Sequence, residues 1–488
     1  MRSVFSRLLT AACALAGTAA AVETLEVLGK DFVNSKTQER FQIIGVDYQP
    51  GGSSGFSTSA DPLSNATACL RDAALMQRLG INTVRVYNLY PLLDHSECAS
   101  IFNAAGIYLL LDVNSPLTNG SLDRTDPSGT YDVAYFHQVF GIIESFKNFP
   151  NILGFFSGNE VINQDSVYEV PAYIRAVQRD MKDYIAKNVN RTIPVGYSAA
   201  DVEDMLMDTV NYLSCNLTNS TESRSDFFGL NDYSWCGNSS YTTSGYDTLV
   251  EDFANASLPA FFSEYGCNTV QPRYFTEVQA LYGKDMIQSF SGGLVYEWTE
   301  ESNDYGLVQL NDNGTVTLLV DYEHLRTQYD AIDLTLITES NSTQTSVEAV
   351  DCAADLISGD DFLNAFDLPA RPSGVQDLID NGYTKASVAT MVAVTSTTIP
   401  ETVYDASGAV ITGIALKVEA SDESNEPGGN TSGSTSSSDS SSSSSGSSTG
   451  TATGSAASST KSGAADKLST SAMLGGLLGA LVATVATL

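Results

Sequence analysis

Eight short runs of apolar and β-branched residues, separated by longer stretches, constrain this chain more than any other feature. They are Phe41–Tyr48, Ile81–Tyr87, Tyr108–Val113, Ile152–Phe156, Ile193–Tyr197, Phe227–Tyr233, Ala260–Glu264 and Gly293–Trp298. Between them, Cys69–Leu79, Val133–Phe146, Val170–Val189 and Phe275–Tyr282 carry apolar side chains at helical spacing. Runs that are apolar at nearly every position are buried on both faces, and their alternation with helices indicates a parallel sheet covered by those helices. Eight such units predict an α/β fold, a (β/α)8 TIM barrel rather than an open doubly wound sheet. No Gly-x-Gly-x-x-Gly or phosphate-binding loop follows the first run, which disfavours a nucleotide fold.

A barrel of this kind carries its chemistry where the strands end. Here the ends read Asp47-Tyr48-Gln49-Pro50, Arg85-Val86-Tyr87-Asn88, Asp112-Val113-Asn114, Gly158-Asn159-Glu160, Asn231-Asp232-Tyr233, Ser263-Glu264-Tyr265-Gly266 and Tyr296-Glu297-Trp298. Aromatic faces mixed with carboxylates and amides suit a sugar-binding cleft. Two glutamates, Glu160 and Glu264, end the fourth and seventh runs, which a closed barrel can set facing each other across its mouth. Retaining glycoside chemistry needs such a pair, one as acid/base and one as nucleophile. Asn159 is placed to bond a sugar 2-hydroxyl, and Arg85 and Tyr265 to keep the nucleophile ionised. The plainer alternatives are a solvated carboxylate at Glu160 and a structural partner of Arg85 at Glu264.

Composition narrows the partners. The formal charge of −34 repels phosphate backbones, so nucleic acid is excluded as a partner. Three histidines, His95, His137 and His324, are too scattered to build a metal site. Both ends look like addresses. Arg2 and Arg7 precede an apolar stretch ending in small residues, the pattern of a signal peptide over 1–21. The small residues Ser462, Gly463 and Ala464, a short polar spacer and an uncharged tail from Met473 read as a GPI-anchor signal, with attachment at Ser462 and loss of 463–488. Of the 30 residues from Thr431 to Thr460, 16 are serine, a composition that reads as a disordered, O-glycosylated stalk. The expected layout is therefore signal peptide 1–21, barrel 22–335, accessory C-terminal region 336–420, stalk 421–462 and anchor propeptide 463–488. In the accessory region Val375–Asp380 reads as helix, and Val388–Val394 and Ile411–Val418 as strands.

Removal of the signal peptide takes Cys13, leaving Cys69, Cys98, Cys215, Cys236, Cys267 and Cys352, an even set that implies three bridges of unspecified pairing. Ten glycosylation sequons begin at Asn65, Asn119, Asn190, Asn216, Asn219, Asn238, Asn255, Asn313, Asn341 and Asn430.

The segments Ile44-Gly45-Val46-Asp47-Tyr48-Gln49-Pro50-Gly51-Gly52, Val84-Arg85-Val86-Tyr87, Gly158-Asn159-Glu160, Ser263-Glu264-Tyr265-Gly266-Cys267 and Ser291-Gly292-Gly293-Leu294-Val295-Tyr296-Glu297 closely resemble those of the fungal cell-wall β-1,3-glucanosyltransferases of glycoside hydrolase family 72. The resemblance runs from about Val22 to Thr335. It implies an enzyme that cleaves an internal β-1,3-glucan bond, keeps one part as a covalent intermediate and passes it to another β-1,3-glucan chain. Glu160 then looks like the acid/base and Glu264 the nucleophile. Gln49, Tyr87, Asp112, Asn159, Tyr233, Tyr296 and Tyr305 match positions that line sugar subsites. The family pairing implies bridges Cys69–Cys98, Cys215–Cys352 and Cys236–Cys267, with no metal or cofactor. A monomer held by its GPI anchor on the outer face of the plasma membrane, or in the wall, is expected. A single cysteine, Cys352, follows the barrel, so the eight-cysteine module of some members is missing. A hydrolytic endo-β-1,3-glucanase would share both glutamates, and only the resemblance favours transfer. A non-catalytic glucan-binding wall glycoprotein would have no need of the pair.

Overall fold

The computed structural model describes residues 22–338 and 347–435. Over this length the chain alternates eight times: β1 (Ile43–Tyr48), α1 (Ala66–Leu79), β2 (Thr83–Val86), α2 (Ser96–Ala104), β3 (Tyr108–Asp112), α3 (Val133–Phe146), β4 (Ile152–Asn159), α4 (Val170–Asn188), β5 (Val195–Ala200), α5 (Glu203–Ser214), β6 (Phe227–Asp232), α6 (Tyr246–Asp252), β7 (Ala260–Tyr265), α7 (Val278–Leu281), β8 (Gly292–Val295) and α8 (Val320–Tyr329). Neighbouring strands are parallel and β8 pairs with β1, which closes the (β/α)8 barrel. Each expected run supplies one strand. The helices form where caps and apolar spacing agree. The Asn65 side chain accepts the Ala68 N–H at the start of α1, and Gly80 ends it at φ 92°, a left-handed conformation that suits glycine. In α4 the buried Val170, Ile174, Val177, Met181 and Ile185 recur every three or four residues. The helix expected over Phe275–Tyr282 shortens to Val278–Leu281, because Phe275 stands at φ 52° and cannot join it.

The barrel interior is filled by Leu110, Phe156, Phe227, Phe261 and Leu294. A Cβ at position 196 would stand 2.4 Å from the Phe227 ring, so Gly196 on β5 is what lets that ring fill the axis. A three-stranded antiparallel sheet (Leu25–Leu28, Asp31–Asn34, Arg40–Phe41) plugs the floor, with Phe32 5.9 Å from both Phe227 and Phe261. Sequence reading does not anticipate this sheet, since no strand in it exceeds four residues and alternation needs more length to register.

The C-terminal region departs from expectation in three ways. Its five-stranded sheet (Val308–Leu310, Val316–Leu318, Val403–Tyr404, Val410–Thr412, Ser434–Thr435) draws its first two strands from the loop after β8, so the boundary at 335 cuts across it. Val388–Val394 is not a strand in a sheet. Its backbone instead docks on α2 and α3, with Ala389 N–H on Ser145 O (3.1 Å) and Val392 N–H on Ser100 Oγ (2.9 Å). Of the second expected strand, Ile411 and Thr412 join the sheet before Gly413 turns away at φ 77°, and Ala415 makes an isolated bridge to Thr398. The helix expected at Val375–Asp380 is present as Val375–Asn381.

Nor does a stalk begin at 421. Asn425, 1% exposed, donates to the carbonyls of Gln77 (3.1 Å) and Ile81 (2.8 Å), while its N–H bonds Gly106 O (2.8 Å). Asn430, 5% exposed, donates to Gln77 Oε1 (2.8 Å) and Ala415 O (2.9 Å). The same amides that make this stretch look solvated satisfy buried acceptors of α1, of the loops beside it and of Ala415. A glycan on Asn430 has no room in this fold, whereas Asn65, Asn119, Asn190, Asn219, Asn238, Asn255 and Asn313 are exposed and Asn216 is half-buried. The signal peptide, Asn341, Ser462, the anchor propeptide and the remainder of the stalk lie outside the described residues.

Disulfides tie these parts together. Cys69–Cys98 joins α1 to α2, Cys215–Cys352 ties the end of α5 to a segment 137 residues later, and Cys236–Cys267 links the loops after β6 and β7.

Candidate active site

Both glutamates lie at breaks in the sheet register. Between Phe156 and Asn159, β4 slips by one residue against β5. Between Phe262 and Glu264, β7 does the same against β6. Such bulges re-aim side chains at strand ends. The bulge in β7 leaves Ser263 as the extra residue, and its hydroxyl bonds Asn231 Oδ1 (2.8 Å) and Ser198 Oγ (2.9 Å). Glu160 itself stands at φ 50°, and its N–H is held by Ser198 O at 2.9 Å. A non-glycine residue held there costs about 1–3 kcal/mol, which the surrounding bonds must offset.

Glu264 is 8% exposed and receives three donors: Arg85 Nη1 at 3.2 Å and the Tyr87 hydroxyl at 2.8 Å on Oε1, and the Tyr233 hydroxyl at 2.8 Å on Oε2. Arg85 is fully buried, also bonds Asp112 Oδ2 (3.2 Å) and Asn159 Oδ1 (2.9 Å), and lies 4.3 Å from the Tyr87 ring centroid. Asn231 Nδ2 completes the chain, reaching Glu160 Oε1 (2.8 Å) and Asn159 Oδ1 (3.2 Å). With Ser198 Oγ also on it at 2.8 Å, Asn159 Oδ1 accepts three bonds, which leaves its Nδ2 as the atom able to donate to a sugar hydroxyl.

All seven expected sugar-lining residues gather at this mouth. Tyr87 and Tyr233 hold Glu264, and Asp112 and Asn159 hold Arg85. Tyr296 and Tyr305 pack edge-on at 5.2 Å and meet Tyr233 at 6.4 and 5.7 Å. Gln49 follows β1 at the same rim, its buried Nε2 without a protein partner. Tyr265 does not meet Glu264 as expected. Strand alternation turns it into the helix layer, where its hydroxyl meets Tyr329 at 3.0 Å. Sequence reading missed Ser198, because β5 runs to Ala200 rather than stopping at Tyr197. It also gave no role to Asp47, whose fully buried carboxyl is pushed up by burial and by the Glu264 charge and pulled down by Arg85. Among the described residues, no group of three or more His, Cys, Asp or Glu could hold a metal ion.

Burial is the largest influence on the acids here. It pushes Glu264 up to about 7, with the Glu160 charge adding, while Arg85 and both tyrosine hydroxyls pull it down. Burial also raises Asp232, Glu277 and Glu297 to about 7. These carboxyls titrate near 4 when unfolded, so the folded chain binds their protons more tightly. Their stabilisation is complete below about pH 4 and is lost as pH rises through about 7. Asp94, Asp123 and Asp405 shift the other way but are largely solvated. The expected result is a melting temperature several degrees higher at about pH 5 than at about pH 8 in a thermal scan. A higher value at pH 8 would contradict these shifts.

A closed barrel with two opposed glutamates under a rim of tyrosines and amides defines a carbohydrate-active enzyme of the (β/α)8 class. The family model for glucanosyltransferases, glycoside hydrolase family 72, matches residues 14–333, and the chain belongs to that family. Its relatives include the 1,3-beta-glucanosyltransferase gel2 of Aspergillus fumigatus, 66% identical over 428 residues covering 88% of this chain and 90% of that one. The probable 1,3-beta-glucanosyltransferase GAS3 of Saccharomyces cerevisiae is 50% identical over 377 residues, 74% of this chain and 72% of its own. Among solved structures, Saccharomyces cerevisiae Gas2p in complex with laminaripentaose superposes with a TM-score of 0.66 at 37% identity, covering 73% of this chain and 78% of that one.

Proposed function

We propose that this chain is a retaining β-1,3-glucanosyltransferase that lengthens cell-wall glucan. Glu264 attacks the anomeric carbon of an internal β-1,3 linkage while Glu160 gives its proton to the departing 3-oxygen. The cleaved fragment leaves and a glycosyl ester on Glu264 remains. Glu160, now a carboxylate, takes the proton of an acceptor 3-hydroxyl as that oxygen displaces Glu264, so the β configuration returns and the acceptor grows. Arg85, Tyr87 and Tyr233 carry the nucleophile's charge before attack and again as it departs. Every atom and proton in the scheme is supplied by the two glutamates and the sugars, so no cofactor is called for.

The observation that carries this reading is Glu264, held by three donors, linked through Arg85, Asn159 and Asn231 to Glu160 on the opposite side of one mouth. The glucan specificity is supported by the names of the relatives and by Gas2p structures with laminari-oligosaccharides. In the same reading residues 1–21 are removed on secretion and 436–462 form the stalk. Ser462 takes the GPI lipid, and the protein works as a monomer on the outer face of the membrane or in the wall.

A reduced laminari-oligosaccharide incubated with the secreted chain tests the activity. The expected products include chains longer than the substrate. Shorter products alone would make the enzyme a hydrolase, and no change would defeat both activities.

A further inference from the structure

One side chain that ties two loops of the mouth together is not used by the chemistry. Arg273, in the loop after β7, is 3% exposed and bonds one backbone carbonyl of its own loop, Gly266 O (3.2 Å), and two of the loop after β8, Tyr296 O (2.7 Å) and Tyr305 O (2.6 Å). Asp321 at the start of α8 holds it in place, bonding Nε at 2.7 Å and the Arg273 backbone N–H at 3.2 Å. The guanidinium also lies 4.7 Å from the Phe275 ring and 5.7 Å from the Tyr305 ring. Gly266 lies two residues beyond Glu264, while Tyr296 and Tyr305 are two of the three packed tyrosines beside it. One planar fork therefore sets the spacing between the nucleophile's strand and both ends of the tyrosine wall. A lysine could not reproduce this, because its ammonium cannot meet three carbonyls and a carboxylate in one plane.

We propose that Arg273 is a positioning residue that decides how the glycosyl-enzyme divides between a sugar acceptor and water. This rests on the transferase reading above. A sugar outcompetes water only if the cleft holds its hydroxyl in line with the anomeric carbon and excludes solvent, an advantage that small misplacements remove. Water needs no such wall. Loosening the carbonyls of Tyr296 and Tyr305 thus penalises transfer more than hydrolysis.

The test is the ratio of transfer to hydrolysis products from a reduced laminari-oligosaccharide, measured on the full secreted chain and on Arg273→Met and Arg273→Lys. The ratio does not depend on how much enzyme is folded, so mere destabilisation leaves it unmoved. The expected result is a ratio about tenfold lower in Arg273→Met and intermediate in Arg273→Lys. An unchanged ratio, or equal loss of both products, would overturn the proposal. If Arg273→Met does not fold, Arg273→Lys decides by the same criterion. If the unaltered chain itself makes no longer products, the transferase reading has failed instead, and the two failures are distinguishable.

Discussion

Replacing Glu264 by glutamine should lower turnover of β-1,3-glucan oligosaccharides by about 10⁴-fold or more, with the fold intact. The amide is nearly isosteric, and its single oxygen can accept from Tyr87 or from Tyr233 but not both; it cannot form the glycosyl ester. Glu160→Gln should cost about 10²–10⁴-fold, the usual worth of a positioned acid. The two variants separate on a donor whose leaving group departs without protonation, such as a glycosyl fluoride. Glu160→Gln should then accumulate the glycosyl-enzyme, visible as an intact-mass increase, whereas Glu264→Gln should accumulate none. An ester forming in Glu264→Gln would reassign the nucleophile.

Arg85→Met carries the largest expected effect on stability. The guanidinium is fully buried and answers Asp112 and Glu264 directly, with Asp47 close enough to feel its charge. Removing one partner of a buried ion pair typically costs about 3–5 kcal/mol, because the remaining charges are left in a medium that solvates them poorly. Here the stranded groups are acids that can take up protons, so the loss should be largest near neutral pH and smaller at pH 5. Unfolding midpoints of both proteins at the two pH values measure this, and a loss that grew on acidification would contradict it. Activity should respond in the same sense. Arg85 is the strongest influence pulling Glu264 down, so without it the nucleophile's pKa moves above about 7. Attack requires the anion, so the acid limb of the kcat/KM profile moves to higher pH. At any pH below that limb, kcat/KM falls about tenfold for every pH unit the limb has moved.

The barrel was legible because its strands are buried on both faces and announce themselves without any need for alternation, as Leu109, Leu110 and Leu111 do in β3. The glutamates were legible because strand ends map to one rim. Contacts that depend on a single extra residue were not. Tyr265 points away from Glu264 by strand alternation, while the inward-facing Ser263 and the extended β5 with Ser198 follow from bulges and strand lengths that no local pattern marks. The C-terminal segment misled for another reason. Asn425 and Asn430 look solvated by composition, yet Asn425 buries its amide against the carbonyls of Gln77 and Ile81, and Asn430 against Gln77 Oε1 and Ala415 O. Arg273 shows the same limit, since a loop arginine gives no sign in sequence that it joins the loop after β7 to the loop after β8.

That docked segment also decides which end of the barrel is covered. Asn425 and Asn430 fasten to the C-terminal turn of α1, and Asn425 also to the loops leading into β2 and β3, which is the end of the barrel opposite the strand termini that carry Glu160 and Glu264. The segment therefore braces the barrel at the end that carries neither glutamate, and the rim above them is left to the loops that follow the strands.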